Sequence, residues 1–323
     1  MTEPSNSARD NAQKSTGGTQ KKPTSVYRKV RRAFGKTRLR VPLTWLRHRG
    51  LEPADVIYAS YPKSGSTWAR FVLYELLTGK PAGFRKTNTE MPGIGLQRKA
   101  LRLLPGGGRL IATHEDYQKE YRKAIYVTRD PRDIVLAEYA FYTVLDYYHD
   151  SLDHFIDSFL LTKNCSVYGY GPWQRHIATW LDSPIAGTDN MLLLRFEDLR
   201  NDPLPGFVRM VEFLGVDVDM DKIRRAVENN TIQKMREKEN KEPVRSSIRG
   251  RFVREGAVRG WLSKLTLEQA RRIEQHAGES MKRMGYPFLS ELNVPEQNLP
   301  DLSQGVASGP DSINQVTDAA VRA

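Results

Sequence analysis

A short apolar run, a turn with one glycine and a helical pattern follow one another near residue 60, and they constrain the fold most. Val56–Ala59 predicts a buried strand, and residues 69–77 repeat apolar side chains at helical spacing. Between them lies Tyr61-Pro62-Lys63-Ser64-Gly65-Ser66-Thr67-Trp68. Such a unit forms a phosphate cradle, because backbone N–H groups and the helix dipole converge on an anion and Lys63 adds a full charge. A simple helix cap by Ser64 or Ser66 would explain the Ser-Gly-Ser turn, but it requires none of the flanking residues.

Similar apolar runs alternate with helical patterns along the rest of the chain. The runs are Ile111–Thr113, Ala124–Val127 and Met191–Leu194, and the helical patterns cover residues 133–148, 206–214 and 267–284. Uniformly apolar runs are typical of parallel strands that are buried on both faces. The alternation therefore predicts an α/β fold, with one domain whose central parallel sheet is flanked by helices and carries a P-loop-like anion-binding loop.

Positive charge is unevenly distributed along the chain. Residues 1–50 hold thirteen Lys and Arg against two acidic residues, and so carry +11 of the net charge of +12. We predict a basic, largely disordered extension over 1–50, a folded domain over 51–290 and a disordered tail over 291–323. Within 26–49 two interpretations stay open: a basic amphipathic segment on an anionic surface, or a charged run that docks Trp45 and Leu46 on the body.

Several classes are disfavoured by what the sequence lacks. No run of about 18 uncharged apolar residues suggests a transmembrane helix. Cys165 is the only cysteine, so no intrachain disulfide can form. We expect a cytoplasmic protein, with a peripheral place at a membrane left open, and no specific nucleic-acid partner. No spacing of His, Cys, Asp and Glu indicates a metal site.

The turn at 61–68 resembles the loop of the soluble (cytosolic-type) sulfotransferases that depend on 3′-phosphoadenosine 5′-phosphosulfate (PAPS), and Ser66 stands where that family usually has Thr. The similarity extends in order over about residues 54–289. It includes Arg129 in a Thr-Arg-Asp-Pro-Arg-Asp run and the segment 251–261. The resemblance implies a nucleotide site formed by Lys63, Ser64, Gly65, Ser66, Thr67, Trp68, Arg129, Phe196, Thr231, Ile232, Arg254 and Gly256.

Three positions depart from the family's pattern around the nucleotide's 3′-phosphate. Ala137 replaces a Ser, Glu255 replaces a Lys and Leu262 replaces a Lys. The missing Ser removes one hydrogen bond to a charged group, about 1.5–3 kcal/mol. We expect Arg132 or another donor to substitute, or a weaker hold on this phosphate.

His114 follows the apolar run Ile111–Thr113 and is the candidate general base. The resemblance implies this role, and it implies that Lys63 stabilises the leaving phosphate; Ala112 stands where the family often has a Lys. The predicted reaction moves a sulfuryl group from PAPS to a hydroxyl, or less favourably an amine, of a small-molecule, lipid or sugar acceptor. The nucleotide product is 3′-phosphoadenosine 5′-phosphate (PAP), and no metal is required.

Two alternatives remain at this point. A P-loop nucleotide kinase would use the same kind of turn, although the Gly-Lys-Ser/Thr ending is absent. A sulfotransferase-like protein of weak activity could bind nucleotide at a membrane surface through its basic extension.

Overall fold

A computed structural model describes residues 45–161, 170–244 and 251–292. They all belong to the compact unit Pro42–Ala323. The predicted disorder before residue 45 and after residue 292 lies outside the described residues.

A five-stranded sheet organises the described chain. Its strands are β1 (Val56–Ser60), β2 (Arg102–Leu104), β3 (Gly108–Thr113), β4 (Ala124–Thr128) and β5 (Met191–Arg195), in the order β2-β3-β1-β4-β5. Strands β3, β1, β4 and β5 are parallel, as predicted. The edge strand β2 runs antiparallel to β3. Pro105–Gly107 form the turn of this hairpin, in which Gly106 and Gly107 take positive φ.

Helices cover both faces of the sheet. They are α1 (Ser66–Thr78), α2 (Phe84–Glu90), α3 (Pro131–Val144), α4 (Leu152–Leu161), α5 (Trp173–Leu181), α6 (Phe196–Asn201), α7 (Pro203–Phe213), α8 (Met220–Glu228), α9 (Ile232–Lys241) and α10 (Leu267–Arg283). Alternate residues of β1 pack into two hydrophobic cores. Ile57 and Ala59 pack with α3, α4, α5 and α10. Val56 and Tyr58 pack with α1, α7 and α8.

Helix α3 ends earlier than its apolar pattern predicts. It begins at Pro131 after Asp130, whose side chain accepts the Arg132 N–H as expected for a cap. It stops at Val144 rather than continuing to residue 148, because Asp146 takes a left-handed conformation with φ +59°. The phenolic residues after Leu145 therefore belong to a turn.

A helical turn at 45–48 joins the body in a way that the sequence does not reveal. Trp45 and Leu46 are 60% and 58% exposed, so the interpretation that docks them on the body is wrong. His48 is buried instead, with its Nε2 2.8 Å from the Tyr121 hydroxyl, and Arg47 pairs with Glu115.

Candidate active site

The turn after β1 has the backbone geometry of an anion cradle. Lys63 and Gly65 both take left-handed conformations, with φ +67° and +77°. Gly65 is the N-cap of α1 and offers no side-chain hydrogen bond, so the alternative of a simple helix cap by Ser64 or Ser66 is not observed. The first N–H groups of a helix have no partner within the helix, and without a side-chain cap they remain available to an anion. Ser64 is fully buried, whereas Ser66 and Thr67 are partly exposed in the first turn.

Phe196 packs directly against this turn. It is the first residue of α6, directly after β5, and its ring fills the space where a Cβ at position 65 would lie. The Trp68 ring stands edge-on to Phe196 at 6.4 Å, and the Arg129 guanidinium lies 4.7 Å from the centre of the same ring. Four predicted site residues from three separate segments thus meet at one place.

Arg129 joins the cradle to the Arg- and Gly-containing segment near residue 255. It is buried, and its two terminal nitrogens donate to the Lys63 and Ala257 carbonyls, each at 2.9 Å. Gly256, with φ +56°, lies beside Phe196, and a Cβ there would be 3.9 Å from Ile232. Thr231 is exposed and caps α9 by accepting the Lys234 N–H, so its hydroxyl serves the helix.

Arg200 belongs to the same cluster and was missed by the sequence reasoning. Its Nε donates to the Gly256 carbonyl at 3.2 Å, and its guanidinium lies 5.6 Å from the Trp68 ring. Burial lowers the pKa of Arg200 and of Arg254, and the charge of Arg129 lowers both further. The charge of Arg129 disfavours the charged form of Arg200 and Arg254, and an anion bound among the three guanidinium groups would reduce this repulsion. The signal was the spacing of Arg200 four residues after Phe196, on the same face of a helix.

Two expectations about the 3′-phosphate region have clear outcomes. Arg132 does not face the cradle: it is 1% exposed, pairs with Asp130 and Glu274 at 2.6 Å each, and lies 4.0 Å from the Trp261 ring. It is therefore not available to replace the hydroxyl that Ala137 lacks. Glu255 pairs with Lys264 at 3.2 Å, which offsets its charge.

His114 stands at the end of β3 with one ring nitrogen fixed. Its Nδ1 lies 2.8 Å from the Ser60 carbonyl oxygen. Because a carbonyl can only accept, Nδ1 carries the proton and Nε2 has the lone pair. Burial lowers the pKa of His114 to about 4; the Ser60 bond opposes this, and the charges of Arg70 and Lys63 lower the pKa further. The imidazole is neutral at pH 7 and can accept a proton at Nε2.

Lys63 lies between the cradle and helix α3. Its Nζ is 3.2 Å from the centre of the Phe141 ring and 4.9 Å from that of Phe252. Glu138, one helical turn before Phe141, is 2% exposed. Burial raises the pKa of Glu138 to about 8, and the charge of Lys63 partly opposes that rise. Sequence reasoning missed Glu138, because its carboxyl becomes notable only through burial.

Arg70 is a further cation close to His114. It lies one turn into α1, and its Nη2 donates to the carbonyls of Thr87 and Met91. Burial lowers the pKa of Arg70 to about 10. The chain after Met91 pairs with Ala112, since Ala112 N–H donates to the Pro92 carbonyl. The segment that holds Arg70 thus pairs with Ala112, the position at which the resembling family often has a lysine.

Comparisons with known proteins identify relatives of this chain. The family model described as "Sulfotransferase domain" matches residues 53–285. Sulfotransferase 1A1 of Rattus norvegicus is 26% identical over 265 residues, which cover 74% of this chain and 89% of that protein. Sulfotransferase 2A6 of the same species is 28% identical over 253 residues, 72% of this chain and 86% of that protein.

Solved structures show the same fold. Mouse sulfotransferase SULT7A1 complexed with PAP aligns with a TM-score of 0.59 and 21% identity, covering 75% of this chain and 89% of that one. Retinol dehydratase in complex with androsterone and the inactive cofactor PAP gives a TM-score of 0.56 and 19% identity, covering 76% and 85%.

Proposed function

The chain belongs to the sulfotransferase domain family, and from that premise we propose that it transfers a sulfuryl group from PAPS to a hydroxyl group of its acceptor. The observation that carries this proposal is the meeting of His114 and Lys63 at one end of β1. His114 is bonded to Ser60, the last residue of β1, and Lys63 follows three residues later in the cradle. A base and a cation on either side of one anion site suit sulfuryl transfer.

The cradle and the arginine cluster have the charges that the nucleotide needs. We assign the 5′-phosphate to the N-terminal turn of α1, where Ser66 and Thr67 add hydroxyl donors. We assign the 3′-phosphate to Arg129, Arg200 and Arg254, since guanidinium groups pair well with phosphate oxygens. The adenine ring is assigned to the surface formed by Trp68, Phe196 and Ile232.

The chemical step uses positioning and charge more than covalent chemistry. A bond forms between the acceptor oxygen and sulfur while the bond from sulfur to the phosphate oxygen breaks. His114 Nε2 takes the acceptor proton, and Lys63 stabilises the negative charge that develops on the leaving phosphate. Arg70 and Lys63 both lower the pKa of His114, so binding of an anionic nucleotide should raise it and make His114 a stronger base.

The acceptor is proposed at the level of class. Retinol dehydratase structures contain androsterone or retinol, and the rings of Phe141, Phe252 and Tyr170 lie near Lys63 or His114 here. Aromatic walls favour an acceptor with an apolar body and a hydroxyl, which includes small molecules and lipids; a sugar acceptor fits them less well.

Transfer from labelled nucleotide tests the proposal. The full chain is incubated with [³⁵S]PAPS or [γ-³²P]ATP and a mixed pool of phenols, alcohols, sterols, lipids and sugars. We expect ³⁵S-labelled product with the wild type and its loss with Lys63→Ala. Labelling only from ATP would favour a nucleotide kinase. PAP binding without transfer to any acceptor would favour a binding protein of weak activity.

A further inference from the structure

Exposed apolar side chains and unpaired cations lie together on two adjoining segments of the body. Trp45, Leu46 and Leu96 are 60%, 58% and 54% exposed. Beside them are the exposed side chains of Arg49, Arg98 and Lys99. These six residues form what we call the Trp45 surface. Trp45 and Arg49 lie on one helical turn, with the guanidinium 5.6 Å from the indole ring.

The two segments are firmly joined. The Gln97 side chain donates to the carbonyls of Arg47 and Arg49 at 2.7 and 2.9 Å, and it is buried. Arg47 donates to the Ile94 carbonyl at 3.3 Å. Leu96, Arg98 and Lys99 are therefore held against the turn that carries Trp45, and the exposed apolar groups share a rigid base.

Two acidic residues that adjoin these segments already have partners. Glu52 pairs with Arg102 at 2.7 Å, and Glu115 pairs with Arg47 and with His48. In the part of the chain that the structure describes, no ion pair is formed by Arg49, Arg98 or Lys99. Among the residues that the structure describes, three positive charges thus accompany the apolar groups without an ion-pair partner.

The same turn is anchored next to His114. Arg47 and His48 hold Glu115, the residue that follows His114, and His48 also bonds Tyr121. The segment that carries Leu96 continues from Met91–Gly93, which pairs with Ala112 and holds Arg70. The turn that carries Trp45 is therefore fixed directly to the segment that follows His114.

We propose that the Trp45 surface docks on an anionic lipid bilayer, with Trp45, Leu46 and Leu96 entering the headgroup layer and the three cations contacting acidic lipids. The indole of tryptophan favours the membrane interface, and apolar groups ringed by Lys and Arg are typical of surface-bound segments. The charge fits as well, because thirteen Lys and Arg precede residue 51 against two acidic residues. The proposal rests on the proposed function only in that a docked enzyme would draw its acceptor from the membrane side.

Vesicle sedimentation tests the surface with matched variants of the full chain. The vesicles are phosphatidylcholine alone or with about one third phosphatidylglycerol. We expect Trp45→Ser with Leu46→Ser to weaken binding to the anionic vesicles about tenfold or more, because burial of one large apolar side chain contributes about that factor. Val218→Ser with Met220→Ser, which are 41% and 43% exposed elsewhere, should bind like the wild type.

A second pair of variants tests the contribution of the cations. Each Lys or Arg near an anionic surface contributes about 1 kcal/mol, so Arg98→Glu with Lys99→Glu should weaken binding on the order of 30-fold or more. Arg224→Glu with Arg225→Glu, an exposed pair on α8, is the charge-matched control. Wild-type binding by both Trp45-surface variants would overturn the proposal and leave the basic extension as the only contact.

Trp45 fluorescence shows whether the indole enters lipid. The other four tryptophans are Trp68, Trp173, Trp180 and Trp261, all at least partly buried. With anionic vesicles we expect a blue shift and quenching by brominated lipids, both lost in Trp45→Phe. Equal binding to a soluble polyanion such as heparin, with no lipid quenching, would identify a polymer site and contradict bilayer docking.

Nucleotide binding separates this inference from the proposed function. Isothermal titration with PAP should give the same Kd for the wild type and all four double variants. If none of them binds PAP, the proposed function fails while the vesicle result keeps its meaning. If PAP binds and vesicle binding is insensitive to the Trp45 surface, only the docking proposal fails.

Discussion

At the scale of single residues, the tautomer of His114 is set by one hydrogen bond. Because Nδ1 donates to the Ser60 carbonyl, the lone pair is on Nε2, which is where an acceptor proton would be taken. We expect His114→Ala to lower kcat by roughly 10²–10⁴, about 3–5 kcal/mol, with little change in PAP affinity. Steady-state kinetics and PAP titration measure the two effects. Exposed His154→Ala is the control, and near-normal turnover in His114→Ala would remove the base assignment.

Arg129 has both a structural and a proposed ligand role, and two nucleotides can separate them. Its hydrogen bonds to the Lys63 and Ala257 carbonyls hold the two loops together, whichever nucleotide binds. The 3′-phosphate is present in PAPS and absent from adenosine 5′-phosphosulfate. We expect Arg129→Ala to weaken PAPS about 10- to 150-fold more than adenosine 5′-phosphosulfate, the value of one or two charge-assisted hydrogen bonds. Equal losses for both nucleotides would mean that Arg129 only joins the loops.

Glu138 makes stability depend on pH in a predictable direction. Burial raises the pKa of this carboxyl from 4.5 to about 8, so between those values the folded state binds more protons than the unfolded state. Its contribution to stability is therefore present at low pH and lost as pH rises towards 8. Relative to the wild type, Glu138→Gln should gain about 2–4 kcal/mol in unfolding free energy between pH 5 and pH 8. Urea unfolding measures this; exposed Glu237→Gln should show no such trend, and a flat difference for Glu138→Gln would refute the buried ionisation.

At the scale of elements, helix α1 has a glycine at each end, and the two glycines are needed for different reasons. Gly65 and Gly79 both take positive φ, and a Cβ at Gly79 meets nothing within 4 Å whereas one at Gly65 collides with Phe196. Gly79→Ala should cost only the left-handed conformation, about 1–2 kcal/mol, and keep PAP affinity. Gly65→Ala should destabilise the fold more than Gly79→Ala does. It should also weaken PAP binding at least about tenfold, because the backbone of the cradle must shift to make room for the new Cβ. Calorimetry and PAP titration check both, and equal PAP affinity would contradict the cradle.

The sequence predicted elements whose cause is local. Uniformly apolar runs predicted β1, β3, β4 and β5, and the helical pattern over 133–148 predicted most of α3. It did not predict β2, whose three residues pair only because the hairpin turn brings them to β3. Nor could it show that Arg132 forms an ion pair with Glu274, a residue 142 positions away. The same limit explains Arg70, Arg200 and Glu138, since their chemistry depends on burial and neighbours from other elements.

At the scale of the whole molecule, positive charge and chemistry occupy different parts of the chain. Residues 1–50 carry +11 of the net +12, whereas all the predicted site residues lie between Lys63 and Gly256. No helix within the described residues is both long and apolar enough to cross a membrane. The division suggests that the basic extension can be removed without loss of catalysis, up to the point where it enters the body.

Two truncations that differ by four residues locate that point. Removal of residues 1–25 or 1–44 should leave thermal stability and turnover unchanged, because no predicted site residue is lost. Removal of residues 1–48 also deletes Arg47 and His48, the partners of Glu115, whose side chain is 21% exposed. An uncompensated, largely buried carboxylate costs about 2–4 kcal/mol, so the longer truncation should unfold at a clearly lower temperature and lose turnover through the displaced His114. Calorimetry decides: equal midpoints for the 1–44 and 1–48 truncations would show that the Arg47 and His48 contacts do not support the site.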